Sequence, residues 1–524
     1  MSPAPPAPAA GAGEEAPALT GLSLRILRGA LVRVRRLRDE LAALRSAYAE
    51  REDLPGLRTL VEGMSTVAAE VERTIIAEAR LRFEREQDET IPAGEAEERF
   101  RSEIGGLVNV LDGILPRLLQ IARTPHGREV EALIHPVAKL VATLFRQEVR
   151  SIELIFEPAD DYAYELSLVE ELMRAAQGRE GGLREQLNDL PQMVAISYPQ
   201  HLEAETLVHG MIVHEIAHTV VDFVPNELPS APIIEAFDLS ADKHFPHLTE
   251  EFEADGREKE EAEALAREAI DNRLLKWYEE FACDALAVGM LGPAYVYSLA
   301  DLDLASNRWA QIRGDAGHQS HPGLGWRLRR VIDQARRDYL PEEREDAEAW
   351  TALRSALDEL EQVLPDEDDD LRASERALLD GALQNLNGGR AVKEVLGFAE
   401  YGPQKFRLEI EIVWEKLREG IPPAEMISGR TSSAAKLEVL PDEWSEPMPW
   451  QSIFNGAYAY WQAGLGISKE EAGAHRVLPD HPRVAQDWMD FNAFVRGTIE
   501  LANLHEQLTA ARYRLDSLNA PPEV

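Results

Sequence analysis

The chain has 524 residues, 44% of them hydrophobic, and its 94 acidic and 55 basic residues leave a net charge of −39. That is enough apolar content for two to four domains or one large helical body, and the sign of the charge argues against a nucleic-acid-binding protein, since phosphate binding wants the opposite sign. The single cysteine, Cys283, excludes an internal disulfide framework and fits a reducing compartment.

Residues 1–18, rich in Pro, Ala and Gly, read as a disordered tail without the basic start and apolar run of a secretion signal. The longest apolar stretch, Leu286 to Ala300, is short and broken by Gly289, Gly292 and Pro293, so no transmembrane segment is expected. The expectation is a soluble, cytoplasmic protein. A helix is expected from about Leu22 to Glu50, where Leu27, Ala30, Val34, Leu37, Leu41, Leu44 and Tyr48 recur in steps of three and four, a coiled-coil or hairpin seam. Its other faces carry Arg25, Arg28, Arg33, Arg35, Arg36 and Arg38. They read first as a solvated face or one paired with the protein's own acids, and second as a surface for an acidic partner protein or membrane. Further helices are expected at about 56–86, 93–122 and 128–149, so that 19–149 forms a helical region.

The texture changes at Ser151. Ile152–Phe156 reads as a strand ended by Pro158, a helix follows at about 166–177, and Met193–Tyr198 is a second strand signal. If that strand lies at a sheet edge it could accept an extended peptide by strand addition; the plainer reading is an ordinary strand of a small sheet. Directly after it, Leu207 to Val224 is an apolar run containing His214-Glu215-Ile216-Ala217-His218. Positions four apart share a helix face, so His214 and His218 aim at one point with Glu215 beside them. Two imidazoles one turn apart suit a zinc ion, and the glutamate can take a proton from water there. A chance match is the bland alternative. Against it, burying two histidines and a glutamate without partners would be expensive, and a metal removes that cost.

A catalytic zinc site needs a third ligand. The metzincin pattern would place Gly at 221 and His at 224, where this chain has Val221 and Val224. Asn226-Glu227 follows too closely, between prolines, to lie on a facing helix. Pro225, Pro229 and Pro232 are expected to open a loop of over twenty residues. Two Glu-x-x-x-Asp patterns remain, in which the glutamate binds zinc and the aspartate orients a zinc-bound histidine. Glu251 with Asp255 precedes a charged run, whereas Glu280 with Asp284 leads into Ala285-Leu286-Ala287-Val288, a buried helix as a ligand-bearing helix should be. Glu280 is the preferred ligand. Cys283, inside this pattern, reads as a small buried hydrophobe.

The ordered set His214-Glu215-x-x-His218, Glu280-x-x-x-Asp284 and His321-Pro322 with Arg327 resembles the gluzincin metallopeptidases, specifically the family of the CAAX prenyl endopeptidases and related bacterial heat-shock peptidases. The resemblance covers about 150–340. It implies zinc bound by His214, His218 and Glu280, Glu215 as base, Asp284 behind the ligands, and His321 and Arg327 near the cleft. Many relatives are membrane-embedded, and this chain shows no such span. Without the resemblance, His321-Pro322 reads as a capped turn before a helix. His321, or one of Tyr198, Tyr295 and Tyr297, is the candidate to stabilise the oxyanion.

The remainder, 341–524, is expected to be a helical C-terminal region. Trp450, Phe454, Tyr458 and Trp461 form one aromatic stripe, and Trp488, Phe491, Phe494 and Leu501 another, both read as core. The expected fold is mainly α with a small β-sheet, a zincin-like metallopeptidase core between helical flanks. The expected function is zinc-dependent hydrolysis of peptide bonds in a protein or peptide. The alternative is a metal-containing but inactive helical scaffold for protein–protein interaction.

Overall fold

The computed structural model describes residues 21–48, parts of 58–77, 128–144, 152–159, 162–166, 192–202, 205–222, 231–305, 321–341, 348–364, 371–387, 390–419, 422–426, 446–465 and 482–519. The expected tail at 1–18, the helices at 93–122 and 166–177, and residue 224 lie outside these. The described residues are mostly helical, with one small three-stranded sheet and one two-stranded ribbon. Among them, no helix is long and apolar enough to cross a membrane. Two compact units are distinguished, 1–125 with 167–193, and 126–166 with 194–524.

In the first unit, helix α1 (Gly21–Tyr48) buries Ala30, Val34 and Leu41 on the expected seam. Val61, Met64, Ala68, Val71 and Ile75 keep the same three-and-four spacing and are buried too. Part of the basic face of α1 is used internally. Arg35 Nε donates to Glu72 Oε1 at 2.8 Å, Arg38 also donates to Glu72, and both bonds hold the Glu72 carboxyl below its usual range.

In the second unit, α2 (Arg128–Leu144) is followed by β1 (Ile152–Ala159), β2 (Ala163–Leu166) and β3 (Gln192–Pro199) in the spatial order β1-β3-β2. β2 and β3 are antiparallel, Ala163 facing Ser197 and Leu166 facing Val194. Sequence patterning misses the four-residue β2. It also suggests an edge role for β3, which lies between β1 and β2 in the sheet.

A 3₁₀ turn at Val208–Met211 runs into α3 (Ile212–Asp222), the HExxH helix. The expected long loop after it is instead largely α4 (Ala231–Ala254), 24 residues long. Pro232 sits in its first turn, where a missing N–H breaks no bond, so this proline marks a helix start. Gly256, at φ 87°, turns the chain into α5 (Lys259–Ala269), which continues through a π turn (Ile270–Leu274) into α6 (Leu275–Leu291). Fourteen of the 17 residues of α6 are buried, so it is apolar nearly all round and central to its unit. It packs against α3, and also against α7 (Ala294–Ala305) and α8 (Leu324–Asp338).

After α9 (Glu348–Val363), α10 (Ala373–Asn387) packs along α4. α11 (Arg390–Leu396) and α12 (Pro403–Arg418) lead to the ribbon of β4 (Glu425–Met426) and β5 (Glu446–Pro447). The chain ends with α13 (Trp450–Leu465), packed on α9 and α12, and α14 (Pro482–Asn519). Trp450, Phe454 and Tyr458 are core as expected. On α14, Phe491 stacks on Trp461, but Leu501 is about half exposed, a departure from the expected stripe. The buried face of α14 instead carries Asn492, Val495, Thr498, Ile499 and Ala502.

Candidate metal centre

The centre is made where α3 crosses α6. On α3 the four-residue spacing does what helical geometry requires: His214 Nε2 and His218 Nε2 lie 3.1 Å apart. From α6, Glu280 presents Oε2 3.4 Å from His214 Nε2 and Oε1 3.4 Å from His218 Nε2. Among the described residues these three are the one group of His, Cys, Asp and Glu side chains placed to hold a metal ion, their ligand atoms all within 4.8 Å of one another. Glu280 Oε2 is buried without a hydrogen bond of good geometry. Two imidazoles and a carboxylate converging from two helices are the donor set that zinc takes, and the residues therefore fit a metal.

Behind the ligands is a closely bonded support. His214 Nδ1 is 2.9 Å from Asp284 Oδ1, which reserves its other ring nitrogen for the centre. Asp284 in turn receives a two-pronged contact from Arg327 on α8, Nε to Oδ2 at 2.8 Å and Nη2 to Oδ1 at 2.7 Å. Tyr295 on α7 donates to Asp284 Oδ1 at 2.5 Å and stacks almost parallel to the His214 ring. Arg327 Nη1 also lies 3.2 Å from Glu280 Oε2.

These charges set the protonation of the metal-free centre. Burial resists a charge on His214, but its bonds to Asp284 and Glu280 outweigh that and raise its pKa to about 9. Burial and the neighbouring His214 charge push His218 down to about 3, so it is neutral. Burial alone would raise both carboxyls, yet the Arg327 charge wins, taking Glu280 down to about 2 and holding Asp284 well below the usual range.

The structure brings together His214, His218, Glu280, Asp284, Arg327 and His321. His321 Nε2 is 3.4 Å from Glu280 Oε1 with 58% of its side chain exposed, so it stands at the solvent side. Glu215 is buried on α3, next in the chain to His214. Glu251 lies elsewhere: its Oε1 accepts from Ser374 N at 3.2 Å and Ser374 Oγ at 2.9 Å, capping α10, and Asp255 pairs with Arg372. Of the three tyrosines left open by sequence, Tyr295 is the one seen to touch Asp284 and His214. Tyr297, two positions and so about 200° further round the helix, donates to Leu353 O instead, and Tyr198 packs edge-on against His209.

No protein-family model matches this chain, and neither does any curated protein or solved structure.

Proposed function

We propose that the chain is a zinc metallopeptidase with a zincin-like core. The observation that carries this reading is the convergence of His214, His218 and Glu280 on one point, backed by Asp284. Two imidazoles and a carboxylate suit zinc, and His321 and the partly exposed His218 mark the side from which substrate would enter. When bound, zinc supplies a Lewis acid that polarises a carbonyl and makes water easier to deprotonate.

The chain's own residues would do the rest. Glu215 takes the proton of the attacking water and passes it to the leaving amine. His321, at the mouth, donates to the carbonyl oxygen as negative charge develops on it. Tyr295 keeps its hydroxyl on Asp284 and so acts through His214 rather than on substrate. β2 packs against α3, so an extended peptide that added to it would lie beside the centre. On this reading the substrate is a protein or peptide bound in extended form.

The test combines metal content with turnover of an unfolded protein substrate. Wild type should hold one zinc per chain, Glu280→Ala should lose it, and Glu251→Ala should keep it. Glu215→Gln should keep zinc and lose turnover by at least about a hundredfold. A zinc-loaded wild type without hydrolysis on any unfolded substrate would favour the non-catalytic scaffold.

A further inference from the structure

The C-terminal helices α13 and α14 reach the two chain segments that feed the metal centre. The first is Leu207, the residue just before the 3₁₀ turn that runs into the HExxH helix. Leu207 is fully buried, so its peptide groups need partners inside the protein. Its N–H donates to Asn492 Oδ1 on α14 at 2.9 Å, and its carbonyl accepts from Tyr458 Oη on α13 at 3.1 Å and from Ser298 Oγ on α7 at 2.8 Å. The bond to Asn492 spans 285 positions of sequence.

The second segment is the turn between α6, which bears Glu280 and Asp284, and α7, which bears Tyr295. Asn455 on α13 closes it from both sides. Its Oδ1 accepts from Ala294 N at 2.8 Å and its Nδ2 donates to Leu291 O at 2.6 Å. The next residue after Ala294 is Tyr295, whose hydroxyl meets Asp284. Gly292 in this turn has φ 77°, and an added Cβ would meet the Asn455 side chain at 3.2 Å, so turn and amide are closely fitted.

We propose that Asn455 and Asn492 are positioning residues of the metal centre: two buried amides from the C-terminal helices that set where α3 and the α6–α7 hairpin place their ligands. This rests on the metal-binding reading above. A first contact holds ligand geometry only as well as its supports do, and outer-shell partners commonly change metal affinity by 10–100-fold.

The chemistry of the two amides differs, and the test uses that. Asn492 serves Leu207 only through its oxygen, whereas Asn455 needs both oxygen and nitrogen. The isosteric change to aspartate at 455 sets an oxygen against the Leu291 carbonyl, and leucine at 492 removes the acceptor of Leu207 N. Zinc affinity would be measured on the full chain by competition with a chromophoric chelator, and ligand geometry by the visible absorption of the cobalt-substituted protein. Asn455→Asp and Asn492→Leu should weaken zinc binding at least tenfold and alter the cobalt spectrum, with helical content retained. Thr498→Val, equally buried on α14 but bonded only within its own helix to Phe494 O, is the control and should change neither. Wild-type zinc affinity and cobalt spectrum in both Asn455→Asp and Asn492→Leu would overturn the proposal, as would an equal loss in Thr498→Val. A wild type that binds no zinc at all would instead overturn the metal reading on which it stands.

Discussion

His214 is the residue on which the centre's chemistry turns. Its Nδ1 faces an aspartate, its Nε2 faces Glu280 and His218, and its pKa of about 9 means that the metal-free protein carries a proton there at neutral pH. The sign of the pH effect follows. The folded value lies above the ordinary 6.5, so this pairing stabilises the metal-free fold fully below pH 6.5 and is lost as pH rises through about 9. Glu280 works the other way: held at about 2 against an ordinary 4.5, it stabilises above 4.5 and the contribution fades as pH falls toward 2. A metal must displace the His214 proton before it can bind. Apparent zinc affinity should therefore climb about tenfold per pH unit from 6.5 to 9 and level off beyond it. Chelator competition at several pH values reads this directly; a flat profile across that window would show that His214 does not hold the proton.

At the scale of elements, packing of whole helices decides what each side chain meets. The π turn at Ile270–Leu274 falls where α5, with only Ala262 and Ala266 buried, gives way to the almost fully buried α6. Such turns are often found near functional sites. α12 and α13 approach closely because Gly456 has no side chain. A Cβ there would fall 2.1 Å from Val413 Cγ1 and 2.6 Å from Val413 Cβ. Gly456→Ala should cost roughly 1–3 kcal/mol through overpacking, read as a lower denaturant midpoint. Glu251→Ala should cost only about 1 kcal/mol, the usual loss of a helix-end contact. A neutral Gly456→Ala would mean that the two helices separate without penalty.

Over the whole molecule, the ligands and the residues that support them belong to the second unit, from Leu207 to α14 ending at 519. Zinc should therefore stabilise that unit as one body. At a hundredfold excess over Kd the gain is about 2.7 kcal/mol, a rise of a few degrees in the melting temperature of that unit. Calorimetry with zinc and then with chelator should move that transition up and back. The same melting temperature in both would mean that metal binding and folding of the second unit are not linked.

The sequence by itself determined what depends on local periodicity. The spacing of His214 and His218 puts them on one face in any helix, and the apolar run after Asp284 marks α6 as a buried helix, which already favoured Glu280 over Glu251. The seam of α1 and the core role of Trp450, Phe454 and Tyr458 were legible for the same reason. Tertiary structure decided the rest. Tyr295 differs from Tyr297 only in which neighbour its helix face meets. Four residues of β2 are too few to show a strand pattern, and Pro232 ends one helix as readily as it begins another. Leu501 keeps the apolar spacing of α14 and is nevertheless about half exposed. The amides of Asn455 and Asn492 have no local signature, because the groups they hold lie 161 to 285 positions away and become neighbours only when the C-terminal helices fold onto the chain around the HExxH helix.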